Sequence, residues 1–238
     1  SAFCTSSKLV KGFIMNKVLK KIIETCSVPG NEEALRDYLI QKMKNYGTIK
    51  KTRWTDFYCE HKNNHPDKKI RVVVTAHMDS PGFIVQEIEE NGILTVITLG
   101  GIPSQKMGLR PIQVHTSKNV YPGILQIHSA DSEKRKPRYN VFCGFKSKKD
   151  AEKAGVQKGD SVCFDPCIME LQNDFVAAPC LDDRLGIFSM LEIAKKLANE
   201  DLDCNVYYAA TGCEETGGRG AQIISDMSLS NLKLIRKN

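Results

Sequence analysis

Apolar positions recur at helical spacing near the start of the chain. In "MNKVLKKIIETC", residues 15–26, Val18, Ile22, Ile23 and Cys26 share one face, which predicts an amphipathic helix. "SVPG" breaks it. Asn31 then stands where a capping side chain is wanted, ahead of "EEALRDYLIQKMKNYG", a second helix with acidic residues in its first turn and Gly47 at its end. The pattern changes in "IRVVVTAHMDS", residues 70–80. There Ile70, Val72, Val73 and Val74 form a β-branched run, expected of a strand buried on both faces in a sheet with helices on each side.

Beyond about residue 84 the runs shorten. "GFIVQEI", "GILTVITLGG", "RPIQVHT" and "VYPGILQIHS" read as strands separated by Gly and Pro. Only "KKDAEKAG" reads as helix, and "GVQKGDSVCFDP" closes the region with a turn and another strand. Residues 85–167 are therefore expected to form a small β-rich domain inserted into an α/β one, which comprises 15–84 and 168–238. The α/β character returns in "LDDRLGIFSMLEIAKKLANE", where Ile187, Met190, Leu191, Ala194, Leu197 and Ala198 share a helix face. "CNVYYAATG" is a further buried strand, and it runs straight into "TGCEETGGRGA".

Composition narrows the function classes. The chain has 238 residues, 41% hydrophobic and 26% charged, which suits a globular protein with a sizeable core. No stretch approaches the ~20 apolar residues of a membrane span. "SAFCTSSKLVKGFI" has no apolar core of a signal peptide; residues 1–14 are expected to be a non-native or disordered leader, with Met15 as the first native residue. Net charge is +6, but the densest basic run, "EKRKPR" at 133–138, has no interleaved aromatics and reads as a solvated loop. Neither a nucleic-acid nor a membrane partner is expected. The nine cysteines show no CxxC pair, and Cys163 and Cys167 have no second pair to complete a zinc knot. Scattered thiols suit a reducing cytoplasm, where most serve as small apolar side chains. Cys213, among carboxylates that raise its pKa, is expected to pack rather than react.

Three motifs carry candidate chemistry. In "TAHMDS", His77 and Asp79 lie two apart on a strand and face the same side, so Asp79 can orient His77 as a metal ligand. In "PCLDDRLG", Asp182 and Asp183 precede a long helix, where one of them can equally cap it, and Arg184 moderates their charge. In "GCEETGGRG", Glu214 and Glu215 follow a strand, and Gly217, Gly218 and Gly220 allow a sharp, close-packed turn. Adjacent glutamates repel unless one binds a cation, leaving the other to take a proton from water. One imidazole and several carboxylates suit zinc, cobalt or manganese.

"AHMDSPGF", "LDDRLG" and "EETGGRGA" resemble, in that order, the three motifs of the co-catalytic di-metal aminopeptidases of the tetrahedral (TET) type, the glutamyl-aminopeptidase-like group. "SVPGNEEALRDYL" and "GVQKGDSVCF" extend the resemblance across about 15–225. It implies a three-layer mixed-sheet α/β metallopeptidase domain with an inserted β-barrel that mediates dimerisation, and dimers assembling into a dodecamer. It implies that His77 and Glu215 bind one metal, Asp182 bridges two, Glu214 is the general base and Asp79 supports from behind. The implied reaction is removal of N-terminal residues from short peptides by activated water, with two zinc or cobalt ions. The family places further ligands, an Asp and a His, downstream of these motifs. The expectation is therefore a chain incomplete at its C-terminus, with at most one well-held metal, impaired hydrolysis and an open sheet edge. Two other functions fit parts of the pattern: a non-catalytic oligomerisation or peptide-binding subunit of the same fold, and a glycan hydrolase using two carboxylates as acid and base.

Overall fold

The computed structural model describes residues 15–102, 108–128 and 137–226. The expectations for residues 1–14, for most of the basic run at 133–138 and for the segment after 226 lie outside the described residues. The chain opens with helices α1 (Lys17–Glu24) and α2 (Glu33–Met43), then strands β1 (Gly47–Lys51), β2 (Phe57–His61) and β3 (Arg71–His77). Six strands follow: β4 (Gly82–Ile88), β5 (Leu94–Leu99), β6 (Arg110–His115), β7 (Val120–His128), β8 (Arg138–Phe142) and, after helix α3 (Lys148–Lys153), β9 (Ser161–Phe164). A short hairpin of β10 (Met169–Glu170) and β11 (Val176–Ala177) leads to α4 (Leu181–Leu197), β12 (Asn205–Thr211) and α5 (Arg219–Asp226).

The first sheet has the order β1-β2-β12-β3, antiparallel except for the parallel pair β12 and β3. Its apolar runs serve two faces. Val206, Tyr208 and Ala210 of β12, Phe57 and Cys59 of β2, and Val72, Val74 and Ala76 of β3 join Ile22, Leu35, Leu39, Ile187 and Met190 in one core. The intervening Tyr58, Val73, Tyr207 and Ala209 meet Ile224 of α5 on the other side. This gives three layers: α1, α2 and α4, then the sheet, then α5. The mixed three-layer α/β fold follows from this alternation.

Two local expectations are corrected. Ile70 is exposed and Val72, Val73 and Val74 are only half-buried, because β3 is an edge strand among the described residues. Asn31 does not cap α2; its Nδ2 donates to Ser161 Oγ of β9 at 2.6 Å, while Glu32 occupies the cap position without a side-chain hydrogen bond to the helix.

Strands β4–β9 close into a barrel in the order β4-β5-β8-β7-β6-β9. Alternate residues point inward, so Phe83, Val85, Leu94, Val96, Ile112, Val114, Leu125, Val141 and Val162 fill it. Phe83 is fully buried and packs edge-on against Phe164 at 5.7 Å; its burial contributes about 2–3 kcal/mol. A bulge between Val85 and Glu87 shifts the register of β4 against β5. The barrel has its own core, separate from the sheet's, as the short strand-like runs between Gly and Pro suggested. No helix among the described residues is long and apolar enough to cross a membrane.

Candidate metal centre

The parallel pair fixes where the motifs meet. Thr211 pairs with His77 in the final register position, so β3 and β12 end level and their following loops leave the same end of the sheet. Ligand sites of open α/β sheets lie at this end. The start of α4 is drawn to the same place, since Asp183 Oδ2 accepts from the His77 backbone N–H at 3.2 Å. The three sequence motifs, each from a different segment, are thereby brought together.

Their polar atoms converge on His77. Its Nε2 lies 3.4 Å from Asp182 Oδ1 and 3.9 Å from Glu214 Oε2. Donor atoms of His77, Glu214 and Glu215 all lie within 4.8 Å of one another. His77 Nδ1 is 2.9 Å from the Asp79 backbone carbonyl and 3.6 Å from its carboxylate. The carbonyl is thus the nearer orienting partner, and either contact places a proton on Nδ1 and leaves Nε2 as the lone pair. Asp182 is almost fully exposed at the mouth of the site, whereas Asp183 is engaged: its Oδ1 accepts from Gly186 N at 3.0 Å and caps the regular part of α4. Asp183 therefore takes the capping role and Asp182 is left free.

Arg184 does not temper these charges. It is 2% exposed and points away, donating to Ser80 Oγ and to the Ile22 carbonyl, each at 3.2 Å.

What holds two adjacent glutamates in place is a set of buried carboxylates behind them. Four consecutive backbone N–H groups donate to three acids: Gly212 to Asp56 Oδ1 at 2.6 Å, Cys213 to Glu32 Oε1 at 3.0 Å, and Glu214 and Glu215 to the two oxygens of Asp79, each at 3.0 Å. Glu32, Asp56 and Asp79 are all buried, and hydrogen bonds to such charged acceptors are the stronger kind. Sequence reasoning missed Glu32 and Asp56 in this role. Gly217 (φ 112°) and Gly218 (φ 69°) turn the chain, and Gly220 lets α5 approach the Gly212 backbone, where a Cβ would collide. Cys213 is buried, as expected of a packing residue, and burial with Glu32 and Asp79 nearby pushes its thiol up to about 11.

The electrostatics favour a cation. Burial opposes charge on His77, but Asp79, Asp183 and Glu214 outweigh it and push the imidazole up from 6.5 to about 9. Burial raises the Glu215 carboxyl, and the charges of Glu214, Asp79 and Asp182 add to this against the pull of His77. Burial also acts to raise Asp79, yet His77 and the two amides outweigh it and hold the carboxyl low. A folded-state pKa above the unfolded one stabilises fully below the unfolded value and is lost as pH rises through the folded one. With chelator present, the protein is therefore expected to lose about 1–3 kcal/mol between pH 6.5 and pH 9 through His77. Urea midpoints at pH 6 and 9.5 check this, and in His77→Gln the difference should shrink by that amount.

Beside Asp182 and Glu215 opens a cavity of about 880 Å³ whose wall includes Pro81, Arg110, Phe164 and Met169. It lies between the barrel and the sheet end. A second group of side chains able to hold a metal, Cys26, His115 and Cys163, also has its donor atoms within 4.8 Å of one another.

Comparison with known proteins places the fold among aminopeptidases. The chain is similar to the lysyl aminopeptidase of Pyrococcus furiosus, 29% identical over 220 residues, covering 88% of this chain and 62% of that one. It is similar to the glutamyl aminopeptidase of Lactococcus lactis, 27% identical over 216 residues, 86% of this chain and 61% of that one. The chain thus spans about three-fifths of the length of these relatives. Among solved structures, an aminopeptidase from the archaeon Desulfurococcus kamchatkensis superposes with a TM-score of 0.78 at 27% identity, covering 87% of this chain and 58% of the other. The Pyrococcus horikoshii TET1 peptidase, described as assembling into a tetrahedron or a large octahedral shell, gives 0.76 at 25% identity, covering 88% and 64%. The family profile of the M42 glutamyl aminopeptidases matches residues 58–231, most of the chain, and the chain belongs to that family.

Proposed function

We propose that this chain carries the catalytic site of a metal-dependent aminopeptidase that removes N-terminal residues from short peptides. The observation that carries this reading is the convergence of His77 Nε2, Asp182 and the glutamate pair at one strand end, backed by Asp79. The nitrogen and oxygen donors fit zinc or cobalt. His77 and Glu215 would hold one such ion, and Asp182 would contribute to holding a second. A divalent cation held there supplies a Lewis acid that polarises the peptide carbonyl and acidifies water. Glu214, half-exposed and next to His77, is the base that takes the proton from the attacking water and returns it to the leaving amine. The carboxylates at the mouth attract the free α-amine of a substrate, and the adjoining cavity has room for its first side chain.

The same reading assigns residues 15–84 and 168–238 to a catalytic body and 85–167 to an inserted domain. Exposed Ile97, Val120, Ile124 and Phe142 on the barrel surface support pairing with a second copy, and the TET1 peptidase, also found as a dodecamer, suggests a dodecamer. The eight described cysteines are free, which supports a cytoplasmic setting.

The test is metal analysis together with hydrolysis of a panel of aminoacyl-p-nitroanilides. Bound zinc or cobalt, with cleavage of free-amine substrates but not of N-acetylated ones, is the expected outcome. Absence of both metal and cleavage would sink the proposal in favour of a non-catalytic subunit.

A further inference from the structure

We propose that Cys26, His115 and Cys163 form a second, structural metal site that takes zinc and ties the segment after α1 to barrel strands β6 and β9. The three donors come from distant parts of the chain, yet all lie within 4.8 Å of one another and all three residues are half-buried. A tetrahedral zinc with bonds of ~2.0–2.3 Å sets its donors roughly 3.5 Å apart, so small side-chain adjustments close the site.

The barrel half of the site is built by strand register. Gln113 opposes Cys163 and His115 opposes Ser161, while the intervening Val114 and Val162 point into the barrel core. His115 and Cys163 are therefore diagonal neighbours on the outer face. The histidine is also oriented. Gln113 Nε2 donates to Asp165 Oδ2 at 3.1 Å, which turns its carbonyl oxygen towards His115 Nε2 at 3.3 Å. This contact fixes the proton on Nε2 and leaves Nδ1 as a lone pair, an arrangement typical of metal-bound histidines.

Cys26 is presented from a fixed stretch. Thr25 N is bonded to Lys21 O, Ser27 Oγ donates to Met78 O at 2.9 Å, and Ser80 N donates to Ser27 O at 3.0 Å. Cys26, Cys163 and Cys180 line one cavity of about 20 Å³, room for a single ion or water. Arg184 lines the same cavity, and its hydrogen bonds go to the neutral acceptors Ser80 and Ile22. Among the described residues this buried guanidinium has no carboxylate ion-pair partner. With Cys180 as a third thiolate, a zinc site there would carry one net negative charge facing this guanidinium.

Thiolate donors separate this site from the His and carboxylate set at the strand ends. On binding, each thiol forms a metal–sulfur bond and releases its proton to solvent, so two thiolates neutralise the cation. The fourth position falls to Cys180 or to water.

Cobalt(II) titration of the reduced protein tests the site, because sulfur-to-cobalt charge transfer in the near ultraviolet arises only from cysteine ligands. The expected result is a band that saturates with one cobalt, is displaced by zinc, vanishes in Cys26→Ser and Cys163→Ser, and persists in Glu215→Gln. Thiol counting on the unaltered protein guards against variants that fail to fold. Zinc should shield two thiols from alkylation if water is the fourth ligand, or three if Cys180 is, with Cys26 and Cys163 among them by mass mapping. No charge-transfer band, a band surviving both serine variants, no shielding of Cys26 and Cys163, or a Cys26–Cys163 disulfide persisting in the reduced protein would each overturn the proposal.

Discussion

Glu214→Gln is expected to slow peptide hydrolysis by ~10²–10⁴-fold while metal stoichiometry stays unchanged. The substitution keeps the shape of the side chain and leaves the backbone N–H of residue 214 on Asp79 Oδ1. It removes only the group able to take a proton. Glu215→Gln is the contrasting change: activity and bound metal should fall together, because that side chain is proposed as a ligand. Inductively coupled plasma analysis beside a p-nitroanilide assay separates the two. Loss of metal in Glu214→Gln would mean that its carboxylate, which lies within 4.8 Å of the His77 and Glu215 donors, is itself a ligand.

Asp79→Ala is expected to cost about 3–5 kcal/mol of folding stability, more than any change at the exposed carboxylates. Two part-buried amides, those of Glu214 and Glu215, lose their acceptor at once, and His77 loses its charged neighbour. Each unsatisfied buried amide costs about 1–3 kcal/mol. Relief of repulsion with Glu32, Asp56 and Glu215 offsets part of this cost. Urea unfolding should show the midpoint of Asp79→Ala well below that of Asp56→Ala, which orphans the single amide of Gly212. Equal costs for the two would count against the shared grip on the glutamate loop.

Much of the fold was legible because its signals are local. The β-branched run of β3, the apolar face of α4 and the short runs of the barrel each carry their period within a few residues. The HxD, DD and EE motifs were legible for a different reason, since charged pairs at strand ends are conspicuous against an apolar background. What stayed hidden depends on partners far away in sequence. Glu32 and Asp56 look like ordinary acidic residues until the Cys213 and Gly212 amides are placed on them. Arg184 reads as a counter-ion to Asp182 and Asp183 until helix geometry turns it inward. Cys163 invites comparison with nearby Cys167, yet its donor neighbours are Cys26 and His115. Asn31 had the right chemistry for a cap, but Ser161 of the barrel competes for it.

The carboxylate grip on residues 212–215 also bears on the order in which the molecule is made. In the sheet, β12 lies between β2 and β3, although it is synthesised after both and after the entire barrel. Until it emerges, β2 and β3 lack their shared neighbour, and Glu32, Asp56 and Asp79 lack the amides they bind. The barrel, with its own core, can settle on the ribosome while the earlier sheet strands wait. Insertion of β12 then joins β2 to β3 and shapes the glutamate loop in one event, so a nascent chain acquires its proposed cation-binding strand end only when this late strand is in place.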